Sequence, residues 1–135
     1  MNDDTGSGKY ELLLARCAGL EPVTTAVAHP CEETALAGAL EAGRRGLITP
    51  ILVGPVARIR ELAARHRLEL GTVELVDVPH SHAAAARAVQ LVREGRAELL
   101  MKGSLHSDEL LAEVLARETG LRTSRRLSHV FIMDV

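Results

Sequence analysis

Aromatic side chains are nearly absent from this sequence of 135 residues: Tyr10 and Phe131 are the only two, and there is no tryptophan. Proteins that bind single-stranded nucleic acid stack bases on aromatic rings, and cages for cationic ligands are built from the same rings. A basic excess is also missing, because sixteen Lys and Arg stand against eighteen Asp and Glu, which gives a net charge of −2. We therefore expect no nucleic-acid partner.

Cysteine and long apolar runs are scarce as well. Cys17 and Cys31 lie outside any CxxC pair or Cys/His cluster with zinc spacing, which excludes a disulfide framework and favours a cytoplasmic setting. No apolar run approaches the length of about 18 residues that crosses a bilayer, so no membrane partner is expected. Residues 1–8 are acidic and glycine-rich, and we interpret them as a flexible tail rather than a targeting peptide.

The remaining sequence, residues 9–135, alternates short β-type runs with longer helical patterns, which predicts an α/β domain with an aliphatic core. Helices as connections between the strands require right-handed crossovers, and so predict a mainly parallel sheet with helices on both faces. Pro50 indicates that its strand lies at an edge or begins nearer Ile51. The predicted strands are 23–28, 48–53, 73–78, 98–102 and 127–133. The predicted helices are 10–17, 31–42, about 56–66, 81–94 and 107–117.

Residues that follow the strands are the candidates for chemistry, since ligands of open parallel sheets bind beyond the carboxyl ends of the strands. Lys102 ends the fourth strand and supplies an ammonium group, Gly103 lets the backbone approach a ligand, and Ser104 or Ser107 can cap the next helix. This segment predicts an anion site for a phosphate or pyrophosphate group. The alternative is an ordinary strand–turn–helix junction with a solvated lysine.

Two histidines follow the third strand. His80 and His82 are compatible with a metal pair or an acid/base pair. No third metal ligand lies nearby in the sequence, and capping of the following helix explains both histidines. His29 and His106 also lie at strand exits, where hydrogen-bonded loop histidines are common.

An arginine cluster precedes the last predicted strand. Arg122, Arg125 and Arg126 suit bidentate pairing with phosphate, and the alternative is a solvated loop.

Several segments together resemble the phosphate acetyl/butyryltransferase family, and in particular its phosphate butyryltransferase-like branch. From about Val23 onward they occur in the order that the family shows. The segments are 46–54 (GLITPILVG), 76–86 (VDVPHSHAAAA), 100–111 (LMKGSLHSDELL) and 120–135 (GLRTSRRLSHVFIMDV).

The resemblance implies a two-domain fold similar to that of isocitrate and isopropylmalate dehydrogenases. It implies reversible transfer of a short acyl group between coenzyme A and inorganic phosphate, in a homodimer that needs no metal or redox cofactor. The active site is then expected in the cleft between the two domains. The residues that the resemblance places there are Lys102, Gly103, Ser104 and His106, with Arg122, Arg125, Arg126 and Ser128 as candidates for holding phosphate groups.

Family members are longer than this chain, and their second domain and proposed catalytic Asp would follow Val135. We therefore expect residues 9–135 to be an incomplete N-terminal domain that is inactive alone, although the whole protein is an acyltransferase. The alternative is a non-catalytic regulatory module that binds coenzyme A or a nucleotide. A third possibility, a metal-dependent decarboxylating dehydrogenase of the same fold, lacks the clustered aspartates and cofactor motif that it requires.

Overall fold

A computed structural model describes residues 8–133 of the chain; residues 1–7, most of the predicted tail, and residues 134–135 lie outside the described part. Within it, five helices alternate with four strands. The helices are α1 (Lys9–Cys17), α2 (Glu33–Arg44), α3 (Val56–Arg65), α4 (Ser81–Arg93) and α5 (Ser107–Leu115). The strands are β1 (Val23–Ala28), β2 (Ile48–Gly54), β3 (Glu74–Asp77) and β4 (Leu99–Lys102). The predicted elements that are present differ from these bounds by at most two residues.

The four strands form one parallel sheet in the order β3-β2-β1-β4. Helices α2 and α3 cover one face, where Val27 and Leu52 are completely buried. Helices α4 and α5 cover the other face. The predicted parallel sheet with helices on both faces is therefore confirmed.

Alanines in α4 bring that helix close to the sheet. Ala84, Ala85 and Ala88 are completely buried and pack with Ala26 of β1 and Val53 of β2. Side chains this small leave little space between a helix and a sheet, so the packing is sensitive to added volume.

Pro50 does not lie in an edge strand, because β2 pairs with β1 on one side and with β3 on the other. The carbonyls of Leu47 and Val53 face β1, whereas that of Gly54 faces β3. Residues of a parallel strand alternate in this way, so position 50 faces β3. The ladder with β3 begins only at Ile51. The amide hydrogen that proline lacks would therefore have had no strand partner.

The predicted fifth strand, 127–133, is wrong, because this segment has no regular secondary structure. Its apolar side chains are exposed, with Val130 at 79% and Ile132 at 83%. A β-type composition describes how well a segment fits a sheet once it is paired, and no strand of the described sheet pairs with this one. The local sequence does not show whether a segment has a strand to pair with.

Candidate functional site

The carboxyl ends of β1 and β4 form the point at which the order of the sheet reverses. From β1 the chain moves to β2 and β3 on one side, and β4 then adds to the other side of β1. Ala28 and Lys102 are partners in register at the ends of these strands. The loops that follow them lead to opposite faces of the sheet, and the crevice between such loops is where open α/β sheets bind ligands.

Gly103 allows the two strand ends to approach each other. Its amide donates a hydrogen bond to the carbonyl of Ala28 (2.8 Å). A Cβ atom at this position would lie 2.3 Å from that oxygen and 2.4 Å from the carbonyl oxygen of His29. Gly103 thus lies directly against the backbone of the β1 exit, where a side chain would overlap.

The hydroxyl group of Ser104 holds the loop after β1. It donates a hydrogen bond to the carbonyl of His29 (2.8 Å) and accepts one from the amide of Cys31 (3.0 Å). Neither Ser104 nor Ser107 caps α5, because the N-cap is His106 and Ser107 is the first helical residue.

Cys31 is a small core side chain. It is 5% exposed and packs in the core beneath α2 and α3. Burial raises the pKa of the Cys31 thiol, and the positive charge of Arg58 opposes this only in part. A thiol with a raised pKa is a poor nucleophile at neutral pH, so Cys31 is not an activated nucleophile.

An open cavity of about 440 Å³ lies at this strand crossing, and we call it the switch-point cavity. It brings together four of the residues that the resemblance selected. The lining residues are His29, Glu32, Ser81, Lys102, Gly103, Ser104, Leu105, His106 and Glu109.

Lys102 is the cation of this cavity. Its side chain is exposed, and its ammonium group lies 3.5 Å from the carbonyl of Gly103. Among residues 8–133, no carboxylate forms an ion pair with it. Its charge is therefore available to an anionic ligand.

Glu109 joins the amino-terminal ends of α4 and α5 at the edge of the cavity. Its carboxylate accepts hydrogen bonds from the hydroxyl of Ser81 (2.9 Å) and the amide of His106 (3.3 Å), and lies 3.3 Å from Nε2 of His82. The hydrogen bond from Ser81 is the main reason that the pKa of Glu109 is lowered, while burial opposes the shift. The carboxylate is therefore ionised at neutral pH and serves as a link between the two helices.

The histidine pair is explained by the helix that it begins. His80 is the N-cap of α4, and its Nδ1 accepts a hydrogen bond from the amide of Ala83 (3.1 Å). The capping interpretation is thus confirmed for His80, while His82 lies in the first turn of α4. No three His, Cys, Asp or Glu side chains within residues 8–133 are arranged to hold a metal ion.

The arginine cluster is not brought to the switch-point cavity. An adjoining cavity of about 390 Å³ is lined by Lys102 and by Ser128, so Ser128 does approach the site. Arg122, Arg125 and Arg126 are exposed and line neither of the two cavities. The sequence placed these residues near the crevice by motif position, but the direction of each side chain depends on tertiary structure.

His29 is the hydrogen-bonded loop residue that its place at a strand exit predicts, but it also lines the cavity, which the sequence did not predict. It is 7% exposed, lines the switch-point cavity and has a φ of 56°. Its position directly after β1 was visible in the sequence. The adjacency of β1 and β4, which gives that position its meaning, was not.

The described helices include none that is long and apolar enough to cross a membrane. No family model matches the chain.

A search of curated proteins finds a phosphate acetyltransferase of Rhizobium meliloti that is 67% identical over 127 residues, covering 94% of this chain and 40% of that protein. A phosphate acetyltransferase of Rickettsia felis is 44% identical over 91% of this chain and 35% of its own length. A phosphate butyryltransferase of Clostridium beijerinckii is 36% identical over 96% of this chain and 43% of its own length.

Solved structures agree in fold. EutD phosphotransacetylase from Staphylococcus aureus superposes with a TM-score of 0.60 at 19% identity, over 74% of this chain and 39% of that one. A branched-chain phosphotransacylase from Enterococcus faecalis gives a TM-score of 0.51 at 20% identity, over 72% of this chain and 33% of that one. The chain thus spans well under half the length of the relatives it matches. By sequence, it is similar to a portion of proteins named phosphate acetyltransferase and phosphate butyryltransferase.

Proposed function

We propose that this chain is the N-terminal domain of an enzyme that reversibly transfers a short acyl group between coenzyme A and inorganic phosphate. The observation that carries the proposal is the 67% identity, over 94% of the chain, to a protein named phosphate acetyltransferase. Relatives named for acetyl and for butyryl transfer both match, so the proposal names the substrates as short-chain acyl-CoA and phosphate. In this proposal the enzyme acts in the cytoplasm as a homodimer, without a metal or redox cofactor.

The reaction requires a phosphate oxygen to attack the thioester carbonyl carbon. The carbon–sulfur bond then breaks, the coenzyme A thiol takes up the proton that phosphate loses, and an acyl phosphate remains. A protein assists by placing the two substrates in contact and by supplying positive charge and N–H donors to the developing oxyanion.

The switch-point cavity is suited to the phosphate part of this task. Lys102 is an exposed cation without an ion-pair partner in the described part of the chain, and it borders both this cavity and the adjoining one that Ser128 lines. We therefore propose that Lys102 pairs with a phosphate group, and that Gly103, Ser104 and His106 shape the floor on which that group rests. Arg122, Arg125, Arg126 and Ser128 remain candidates for the other phosphate groups of the substrates.

The proposal is tested by a thiol-release assay with acetyl-CoA and butyryl-CoA in the presence and absence of phosphate. Two samples are compared: this chain alone and the product of the complete native reading frame. We expect phosphate-dependent thiol release only from the complete product, since this chain spans 40% of its relative from Rhizobium meliloti.

Two outcomes would contradict the proposal. A complete product that releases no thiol with either thioester removes the acyltransferase assignment, and binding of coenzyme A without turnover would then favour a regulatory module. Robust turnover by this chain alone would retain the activity but contradict its description as an incomplete domain.

A further inference from the structure

His29 is a buried titratable side chain of the switch-point cavity to which the proposed reaction has so far given no task. Its φ of 56° lies in the left-handed region, which costs about 1 kcal/mol or more for a residue other than glycine. Only 7% of its surface is exposed, although it lines the cavity. A polar residue that is both buried and strained at a cavity calls for a functional explanation.

The hydrogen bonds around His29 fix the tautomer of its ring. Nδ1 lies 3.0 Å from the carbonyl oxygen of Ser104, which can only accept, so Nδ1 carries the hydrogen. The hydroxyl of Ser104, 3.3 Å from Nδ1, already donates its hydrogen to the carbonyl of His29 and cannot donate to the ring as well. In the neutral ring, Nε2 therefore bears a lone pair and acts as an acceptor.

That lone pair is open to the cavity. Within residues 8–133, no protein group forms a hydrogen bond with Nε2 of His29. In the same part of the chain, every fully buried side-chain nitrogen or oxygen has a partner. Nε2 is therefore accessible, and the accessible space that His29 borders is the switch-point cavity.

Positive charge reaches the same cavity from two sources. One is the ammonium group of Lys102, and the other is the amino-terminal end of α2, whose N-cap residue Glu32 makes no side-chain capping bond. Free N–H groups at a helix start favour anions. The carboxylates of Glu32 and Glu109 oppose them, although that of Glu109 is engaged by Ser81.

We propose that Nε2 of His29 makes the switch-point cavity selective for hydrogen phosphate over sulfate. Hydrogen phosphate can donate its P–OH hydrogen to Nε2 while its anionic oxygens face Lys102 and the first turn of α2. Sulfate has the same charge and a similar size but no hydrogen, so one of its oxygens would face the lone pair. The inference rests on the proposed function for the identity of the substrate, whereas the selectivity follows from the tautomer.

The test is calorimetric titration of this chain with sodium phosphate and with sodium sulfate, at equal ionic strength and mildly alkaline pH. A hydrogen bond that one anion makes and the other leaves unmade predicts a preference for phosphate of about tenfold. Equal binding of the two anions, or binding of neither, would overturn the proposal.

Two variants separate the effect of the Nε2 acceptor of His29 from the effect of charge in the cavity. His29→Asn retains a donor near the position of Nδ1 and tolerates the left-handed region, but it lacks Nε2. The ratio of the two affinities should then fall to within about twofold. Glu32→Gln removes a negative charge without changing the acceptor, so both anions should bind more tightly and the ratio should stay as in the wild type. An unchanged ratio in His29→Asn contradicts the proposal.

A spectroscopic readout on the wild-type chain is independent of the folding of these variants. A two-bond ¹H–¹⁵N spectrum should show the Nδ1-protonated tautomer for His29. Phosphate should shift the Nε2 resonance in the direction of a nitrogen that accepts a hydrogen bond, whereas sulfate should not shift it in that direction. The Nε2-protonated tautomer, or an identical response to both anions, would overturn the inference. Failure of the thiol-release assay with retained anion preference would instead remove only the proposed function.

Discussion

Replacement of Gly103 by alanine is the most severe test of the junction between β1 and β4. The added Cβ would lie 2.3 Å from the carbonyl oxygen of Ala28 and 2.4 Å from that of His29. These oxygens accept hydrogen bonds from the amides of Gly103 and Ser104. Relief of the overlap therefore requires the end of β4 to move away from β1 and weakens both bonds.

The expected loss follows from these contacts. Two hydrogen bonds contribute about 1 kcal/mol each, and overpacking costs about 1–3 kcal/mol. Gly103→Ala should therefore lower the free energy of unfolding by about 3–5 kcal/mol, a large part of the about 5–15 kcal/mol typical of a domain.

Urea unfolding followed by circular dichroism measures this loss. The matched control is Gly38→Ala in α2, where a Cβ would meet nothing within 4 Å. This substitution should stabilise the helix by about 0.5–1 kcal/mol. A Gly103→Ala variant within 0.5 kcal/mol of the wild type, on the scale of an ordinary surface substitution, would refute the proposed packing at the switch point.

Two further predictions concern α4 and its link to α5. The lowered pKa of Glu109 contributes stability above the ordinary glutamate pKa, and this contribution is lost as the pH falls through the lowered value. In urea unfolding at a series of pH values, Glu109→Gln should reduce the dependence of the free energy of unfolding on pH in this acidic range. An unchanged dependence would contradict the role given to the Ser81 hydrogen bond. Ala85→Leu adds volume to a completely buried position and should cost about 1–3 kcal/mol, whereas Ala86→Leu on the exposed side should change stability by less than about 0.5 kcal/mol. Equal effects of the two would show that α4 does not lie close on the sheet.

The sequence predicted the described sheet well because its patterns are local and mutually consistent. The alternation of short β-type runs with helical periods determines the elements, and the crossover rule then determines that the sheet is parallel. The segment 127–133 is largely apolar like the true strands, but no strand of the described sheet pairs with it, so its prediction as a strand was wrong.

The candidate site was only partly accessible from sequence for the same reason. Lys102 was identifiable from its place at the end of a strand, and the general ligand site at the carboxyl ends was identifiable from the fold class. The order β3-β2-β1-β4 decides which loops share a crevice, and it raises His29 from a loop residue to a lining residue. The function of Gly103 likewise became clear only when the carbonyl atoms beside it were located.

The central claim is that the switch-point cavity holds the phosphate substrate of an acyl-transfer enzyme. The most direct measurement is the KM for phosphate of the complete gene product carrying Lys102→Met. Lys9→Met serves as the control, because Lys9 is the only other lysine in the chain, begins α1 and lines neither cavity. Loss of a charge-assisted hydrogen bond predicts a rise in KM of about tenfold or more in Lys102→Met alone. A KM for phosphate equal to that of the wild type would contradict the account.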